Sequence, residues 1–152
     1  MSQEILKREE TWDITYEHSM GETASYFFNQ IKMAQKLMGK YCPSCDRVLM
    51  PPRKFCDRCF VPTTDWVEVG PEGVIEAATL IYEQFKNYPA PPYALAYVRL
   101  DKADTAIGNY LKGLDFSDQQ AAVEKIKIGT KVKVKFKEDR DGSILDFWFE
   151  VV

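Results

Sequence analysis

All four cysteines of the chain lie in one short segment, as the pairs Cys42/Cys45 and Cys56/Cys59. Each pair has the Cys-x-x-Cys spacing, and ten residues separate the two pairs, so a short hairpin can bring them to one ion. Four thiolates arranged as a tetrahedron suit zinc and leave no coordination position open. The spacing therefore predicts a closed, structural Zn²⁺ site whose binding energy folds a segment too small to bury a core.

Disulfides and iron are the alternatives to zinc. Residues 1–13 are charged throughout and contain no apolar stretch like that of a secretory signal, which favours a cytoplasmic, reducing location and disfavours disulfides. Iron stays open because soft thiolate ligands accept both metals.

The overall composition excludes several classes of protein. The chain has 152 residues, with 20 basic and 23 acidic side chains and a net charge of −3, whereas bulk nucleic-acid binding needs a surplus of Lys and Arg. No apolar run approaches the roughly 20 residues of a membrane span. We therefore expect a cytoplasmic protein without a membrane segment, for which nucleic acid is an unlikely partner.

Residues with catalytic potential are scarce. The single histidine is His18, so a histidine-based catalytic set would have to be built in the polar segment that surrounds it. The cysteines are committed to the metal, and the sequence contains neither a GxGxxG nor a Walker A loop. We expect no catalytic residues in this chain.

Periodicity divides the chain into three parts. Residues 1–38 are predicted to be a charged arm and an amphipathic helix, with Ser19 and Glu22 as a capping box and the helix running from residue 22 to 38. The helix would cover its own core or bind a partner. Residues 39–64 form the zinc ribbon, and residues 65–152 form a β domain.

The β domain has the strand order of an OB barrel. After a first short strand at residues 66–69, five strands follow with a helix between the third and fourth, and Ser117 is the predicted helix cap. Asp141–Gly142 predicts a hairpin turn that would set the lysine stripe of residues 131–137 beside Asp146 and Glu150, on a solvated or phosphate-binding face.

Two groups of residues are candidates for contacts with a ligand or partner. Arg53, Lys54 and Arg58 crowd the ribbon together with Arg47, either to offset thiolate charge or to bind phosphates. The loop FKNYPAPPY holds Phe85, Tyr88 and Tyr93 among three prolines. It would cover one end of the barrel or present preorganised aromatic rings to a partner or an acyl group.

A helix, a C-x-x-C…PPR…C-x-x-C ribbon and the segments WVEVGPEGVIEAATLIY, PYALAYVRLD and KGLD together resemble a known family. It is the acyl-CoA-associated zinc-ribbon/OB-fold family, first described as domain of unknown function thirty-five, and the likeness spans residues 22–152. The resemblance implies a mainly β protein with an N-terminal helix, in which a rubredoxin-like zinc ribbon precedes a five-stranded OB-fold barrel.

The resemblance also implies a function. Members are small subunits that partner thiolase-superfamily enzymes, whose larger chain carries the catalytic residues while the small chain helps form the CoA or acyl-CoA site. A subunit of the benzoylsuccinyl-CoA thiolase type is one such member. Under this reading the expected contacts with CoA or the partner are Arg53, Lys54, Arg58, Phe60, Phe85, Tyr88 and Tyr93. A stand-alone acyl-CoA-binding protein and a single-strand nucleic-acid-binding module are the alternatives.

The chain departs from the family pattern after each knuckle. Asp46 and Phe60 stand where the family has glycine. Because that position needs left-handed backbone, phenylalanine is sterically costly there. We therefore expect Phe60 to point outward, toward a partner.

Overall fold

The computed structural model of the chain describes residues 5–152, so the first four residues of the predicted N-terminal arm lie outside the described range. The order of elements is α1 (Gly21–Ala34), β1 (Leu37–Cys42), β2 (Arg47–Leu49), β3 (Trp66–Val69), β4 (Glu72–Ile81), β5 (Tyr93–Leu100), β6 (Ile107–Lys112), α2 (Gln119–Lys125), β7 (Lys131–Phe136), a 3-10 helix (Ile144–Asp146) and β8 (Phe147–Val151).

The ribbon is a three-stranded antiparallel sheet in the order β2-β1-β3. The central strand, β1, also pairs with β3, in the register from Leu37↔Val69 to Lys40↔Trp66. The strand at residues 66–69 therefore completes the ribbon sheet and does not join the barrel. Gly39 is required in β1 because a Cβ there would lie 2.6 Å from Cγ1 of Val48.

The barrel is closed in the order β4-β5-β6-β8-β7, with α2 between β6 and β7. This is the predicted OB arrangement of five strands with a helix after the third, and the mainly β fold class is confirmed. One buried core joins the barrel to α1 and to the ribbon sheet. Its central side chains include Ile31, Met50, Ile75, Val98, Leu100, Val132, Phe147 and Phe149.

Helix α1 is shorter than predicted. It ends at Ala34, followed by Gln35 in left-handed backbone, and Leu37 belongs to β1. The predicted capping box is wrong: Ser19 Oγ accepts only from the backbone N–H of Gly21, at 3.2 Å, and the N-cap residue makes no side-chain cap. The helix packs its buried residues on the core of its own chain.

Helix α2 is capped by Asp118 and not by Ser117 as predicted. The Asp118 carboxylate accepts from the N–H of Ala121 at 2.9 Å. The Ser117 hydroxyl instead donates to Asp115, at 2.7 Å. Aspartate and serine are N-caps of similar strength, so the sequence alone does not distinguish Asp118 from the adjacent Ser117.

The predicted hairpin turn at Asp141–Gly142 is also wrong. Strands β7 and β8 pair from Phe136↔Phe147, and the long connection between them ends in the 3-10 helix. Asp146 is only 1% exposed, and its carbonyl accepts from the N–H of Lys137, at the end of the stripe, at 2.9 Å. Its carboxylate forms no ion pair with the stripe lysines in residues 5–152. Its Oδ2 accepts from the N–H groups of Gly142 at 2.7 Å and Ser143 at 3.0 Å.

The lysine stripe was predicted to be either a solvated face or a phosphate-binding face, and its lysines are exposed to solvent. Lys131, Lys133 and Lys135 are exposed, and Lys133 pairs in register with Glu150. The connection before β8 instead packs on α1, where Arg140 Nε donates to the carbonyl of Lys32 at 3.1 Å.

We predict that Asp146→Asn destabilises the fold through this connection. Burial raises the pKa of Asp146, but amide donors from Ser143, Gly142 and Asp141 outweigh it and hold the pKa below its usual range. Replacing the carboxylate should lower the free energy of unfolding by about 1–3 kcal/mol at pH 7. Urea denaturation of the zinc-loaded wild type and variant measures this change in the free energy of unfolding.

The pH dependence has a defined sign. Since the folded pKa lies below the unfolded one, the carboxylate stabilises fully above the unfolded pKa of about 4 and loses its effect as pH falls through the folded pKa. The difference between wild type and Asp146→Asn should therefore stay constant from pH 7 to about 5 and shrink as the pH falls below about 4. Asp139→Asn, exposed in the same connection, is the control. A difference that stays constant with pH would contradict the assignment.

Candidate metal centre and its surroundings

The two knuckles are shaped by backbone that turns back toward the thiols. Strand β1 ends at Cys42 and β2 begins at Arg47, so the first pair lies in the turn between them. Asp46 and Phe60, which follow the two pairs, have φ of 54° and 56°. Both occupy the left-handed region where the family pattern has glycine, and Phe60 adopts it despite the steric cost.

The four cysteine Sγ atoms all lie within 4.8 Å of one another, and those of Cys45 and Cys56 are 3.8 Å apart. A tetrahedral zinc site with Zn–S distances of about 2.3 Å has sulfurs roughly 3.8 Å apart. The thiols are not joined as disulfides. This donor set fits one four-coordinate Zn²⁺ with no position left for a substrate, and it supports a structural role for the metal.

Arg47 supplies positive charge directly to the thiol cluster. Its Nε donates to Cys45 Sγ at 3.5 Å and its Nη2 to Cys56 Sγ at 3.6 Å, while Asp57 accepts from Nη2 at 2.8 Å. The side chain is only 17% exposed. The hydrogen bond from Arg47 lowers the pKa of Cys45, which favours the thiolate that a metal requires.

Cys56 is activated mainly by backbone donors. Burial raises its pKa, but the N–H groups of Cys59 and Arg58, followed by Arg47, lower the pKa to about 6. At Cys56 the knuckle backbone therefore favours a thiolate before any metal binds, whereas at Cys59 the side chain of Ser44 lowers the pKa but the neighbouring thiols outweigh it and raise the pKa to about 11. Charge compensation, one of the two roles predicted for the ribbon cations, is performed here by Arg47.

The remaining ribbon cations are more accessible. Arg53 pairs with Asp57, at 3.1 Å between Nη1 and Oδ2. Lys54 and Arg58 are exposed, and no carboxylate in residues 5–152 lies within ion-pair distance of either. Phe60 is 83% exposed. The second knuckle thus presents two unpaired cations and a phenylalanine ring to solvent.

The proline loop is separate from the ribbon cations. It connects the ends of β4 and β5 where Ile81 pairs with Tyr93. Phe85 and Tyr88 are half exposed and form an edge-to-face pair with ring centroids 6.4 Å apart, whereas Tyr93 is buried. In the described part of the chain, no hydrogen bond or ring contact joins these aromatic residues to the second knuckle.

Sequence reasoning missed the residues that attach the ribbon to the barrel. Asp104 Oδ2 accepts from the N–H of Val48 at 2.8 Å, and the N–H of Asp104 donates back to the Val48 carbonyl at 2.9 Å. Thr105 Oγ1 accepts from the N–H of Met50 at 2.6 Å and donates to its carbonyl at 2.7 Å. No local sequence signal marks this long-range pairing.

We predict that Cys42→Ser abolishes metal binding, because a hydroxyl is a poor replacement for a thiolate ligand of zinc. Elemental analysis should fall from about one zinc per chain to near zero. Arg47→Gln, which keeps all four ligands, should still bind about one zinc but release it faster to a chelator such as 4-(2-pyridylazo)resorcinol. Full zinc occupancy in Cys42→Ser would contradict the ligand assignment.

Among residues 5–152, no helix has the length and apolar character needed to cross a membrane.

Comparison with known proteins gives consistent matches. The profile of the ChsH2 rubredoxin-like zinc ribbon domain matches residues 30–65, and that of the ChsH2 C-terminal OB-fold domain matches residues 66–137. Among curated proteins, none matches. A Sulfolobus solfataricus structure, described as a DUF35-family protein of unknown function, is 25% identical over 87% of both chains, with a TM-score of 0.64.

A second solved structure, described as "Ltp2-ChsH2(DUF35) aldolase", shares the fold. It is 21% identical, covers 89% of this chain and 98% of the other, and has a TM-score of 0.66. Together the two profiles span residues 30–137 and coincide with the ribbon and most of the barrel. The family resemblance is confirmed, and the chain belongs to the DUF35 family of ChsH2-type zinc-ribbon and OB-fold proteins.

Proposed function

We propose that this chain is a non-catalytic subunit of a thiolase-type acyl-CoA acyltransferase complex, where it supports the catalytic chain and helps form the CoA or acyl-CoA site. The observation that carries the proposal is the number of large apolar side chains left in solvent in three separate segments. They are Ile5, Leu6, Trp12, Ile14, Tyr16, Phe60, Phe85 and Tyr88. Clusters of exposed apolar residues mark surfaces that bind other proteins.

The arm before α1 has the features of a binding segment. Trp12 is 78% exposed, and Ile14 and Tyr16 are similarly accessible. They alternate with Asp13 and Glu17, so an extended chain would present one apolar and one acidic side. A partner that adds this segment to a sheet edge, or holds it in an apolar groove with a basic rim, would bury all three side chains.

Phe60 supports the same proposal from the ribbon. Its backbone is in the left-handed region and its ring is 83% exposed, so the residue contributes strain and no burial to the isolated chain. An exposed aromatic residue of this kind is typical of the centre of a protein interface.

The distribution of reactive groups agrees with a partner that carries the chemistry. His18, the single histidine, lies exposed in the arm, and the four cysteines are gathered as metal ligands. The name of the Ltp2–ChsH2 structure pairs a ChsH2 chain with a second component. The thiolase class of the partner proposed here follows the family resemblance.

Contacts with CoA are proposed at the second knuckle. Lys54 and Arg58 are exposed cations without carboxylate partners in the described residues, and Arg53 stands beside them with one guanidinium nitrogen on Asp57. Such a group suits the phosphates of CoA, which guanidinium groups bind through charge-assisted hydrogen bonds.

We predict that the chain copurifies from its native host with a larger thiolase-superfamily protein, and that the chain alone has no acyltransferase activity.

The variant Phe60→Ser should weaken the association with that protein at least about tenfold, because aromatic residues often dominate interface energies. Titration of the labelled chain with the partner measures the dissociation constant of the complex. Ile128→Ser is the matched control, since Ile128 is 80% exposed in the connection between α2 and β7.

Two results would overturn the subunit proposal. The first is turnover of an acyl-CoA substrate by the homogeneous chain. The second is a chain that captures no thiolase-superfamily protein while binding CoA thioesters by itself, which would favour the stand-alone acyl-CoA-binding alternative.

For CoA, we predict that Arg58→Gln raises the KM of the complex for its CoA thioester by about three- to tenfold, because one phosphate contact is lost. The zinc content should not change, since Arg58 contributes only its backbone N–H to the thiol cluster. Lys135→Gln, on the solvated outer stripe, is the control. An unchanged KM in Arg58→Gln would exclude the proposed phosphate contact.

A further inference from the structure

An open cavity of about 580 Å³ lies at the surface of the barrel. It lies between the proline loop, the end of β6 and the connection that precedes β8, and it is distinct from the metal centre. Its volume is in the range of small-molecule binding sites in proteins. Neither the zinc site nor the proposed CoA contacts at the second knuckle use it.

Most of the cavity wall is apolar or aromatic. The side chains that provide it are Pro89, Pro92, Tyr93, Leu111, Phe116 and Leu145. The prolines restrict the backbone of their loop, and Tyr93 is buried at the start of β5. One side of the cavity is therefore held in place by the barrel.

Two lysines give the cavity a positive rim. Lys112 and Lys137 both line it, and in residues 5–152 no carboxylate lies within ion-pair distance of either amino group. Lys112 Nζ lies 3.9 Å from the ring centroid of Trp148. Of the carboxylates on β8 and the turn before it, Glu150 accepts from Trp148 Nε1, and Asp146 accepts from backbone amides. The charge of Lys137 also helps to lower the pKa of Asp146.

A tyrosine pair adds a polar element to the wall. The rings of Tyr93 and Tyr110 are 5.8 Å apart, and both residues line the cavity. Burial, with smaller contributions from Tyr93 and Tyr88, raises the pKa of Tyr110. Its hydroxyl therefore stays protonated at neutral pH and is able to donate a hydrogen bond.

We propose that this cavity binds a compact aromatic or aliphatic carboxylic acid, whose apolar part lies against Tyr93, Phe116 and Leu145 and whose carboxylate meets Lys112 and Lys137. An open, mostly apolar cavity with two lysines among its lining residues suits an amphipathic anion, because a fully apolar ligand would leave the lysines unused and a fully polar one would not cover the rings. The inference does not depend on the proposed partner.

The test compares two ligands that differ only in charge. The zinc-loaded chain is titrated calorimetrically with 3-phenylpropanoate and with 3-phenylpropanamide, which have the same ring and spacer. The acid should bind about tenfold more tightly than the amide, because only the acid brings a full negative charge to the two ammonium groups. Equal affinities, or no binding of the acid at millimolar concentration, would overturn the proposal.

Variants locate the binding. The double variant Lys112→Gln/Lys137→Gln should reduce the preference for the acid to about twofold or less, since both cations are removed. Leu145→Trp should abolish binding of both ligands, because the larger side chain would fill the cavity. Lys135→Gln should leave both affinities unchanged, and melting temperatures verify that each variant is folded. A preference for the acid that persists without the two lysines would refute the site.

Binding of a peptide with the sequence of residues 7–17 in place of the acid would also refute it. That result would assign the cavity to the acidic, aromatic arm.

Discussion

Strand β2 is held along both of its edges, and this double attachment connects the metal centre to the barrel. On one edge it pairs with β1; on the other, Val48 and Met50 exchange hydrogen bonds with Asp104 and Thr105. The first knuckle lies in the turn between β1 and β2, and the second lies in the connection from β2 to β3. An ion shared by the four thiolates therefore ties together the two segments that flank β2, the strand that is attached directly to the barrel.

The parts of the fold that the sequence predicted are those governed by short, repeated patterns. The cysteine spacing predicted the metal site because ligand geometry needs only two knuckles and a hairpin, all local in sequence. Strand order in the barrel followed from alternation and turns. The end of α1 did not, because Leu37 and Met38 are as compatible with the predicted helix over residues 22–38 as with a strand. Pairing with Val69, more than thirty residues later, decides between them.

The incorrect predictions share a physical cause. Ser117 and Asp118 are adjacent capping residues of similar strength, and only the position of the helix backbone selects Asp118. Asp141–Gly142 has the sequence of a two-residue turn, but the buried carboxylate of Asp146 gathers the amides around it into a 3-10 helix. In each case two local preferences of about 1 kcal/mol compete, and the folded chain adopts the one that the sequence pattern did not select.

The zinc also explains why aromatic residues of the ribbon are free to face outward. A domain of this size normally needs its large apolar side chains for a core. In the ribbon, the thiol cluster is packed only by Leu49 and Val61 besides the cysteines themselves. Coordination supplies the stability that burial would otherwise give, so Phe55 and Phe60 remain exposed without unfolding the segment. A metal-stabilised ribbon can therefore carry an apolar binding surface that a ribbon folded by its own core could not spare.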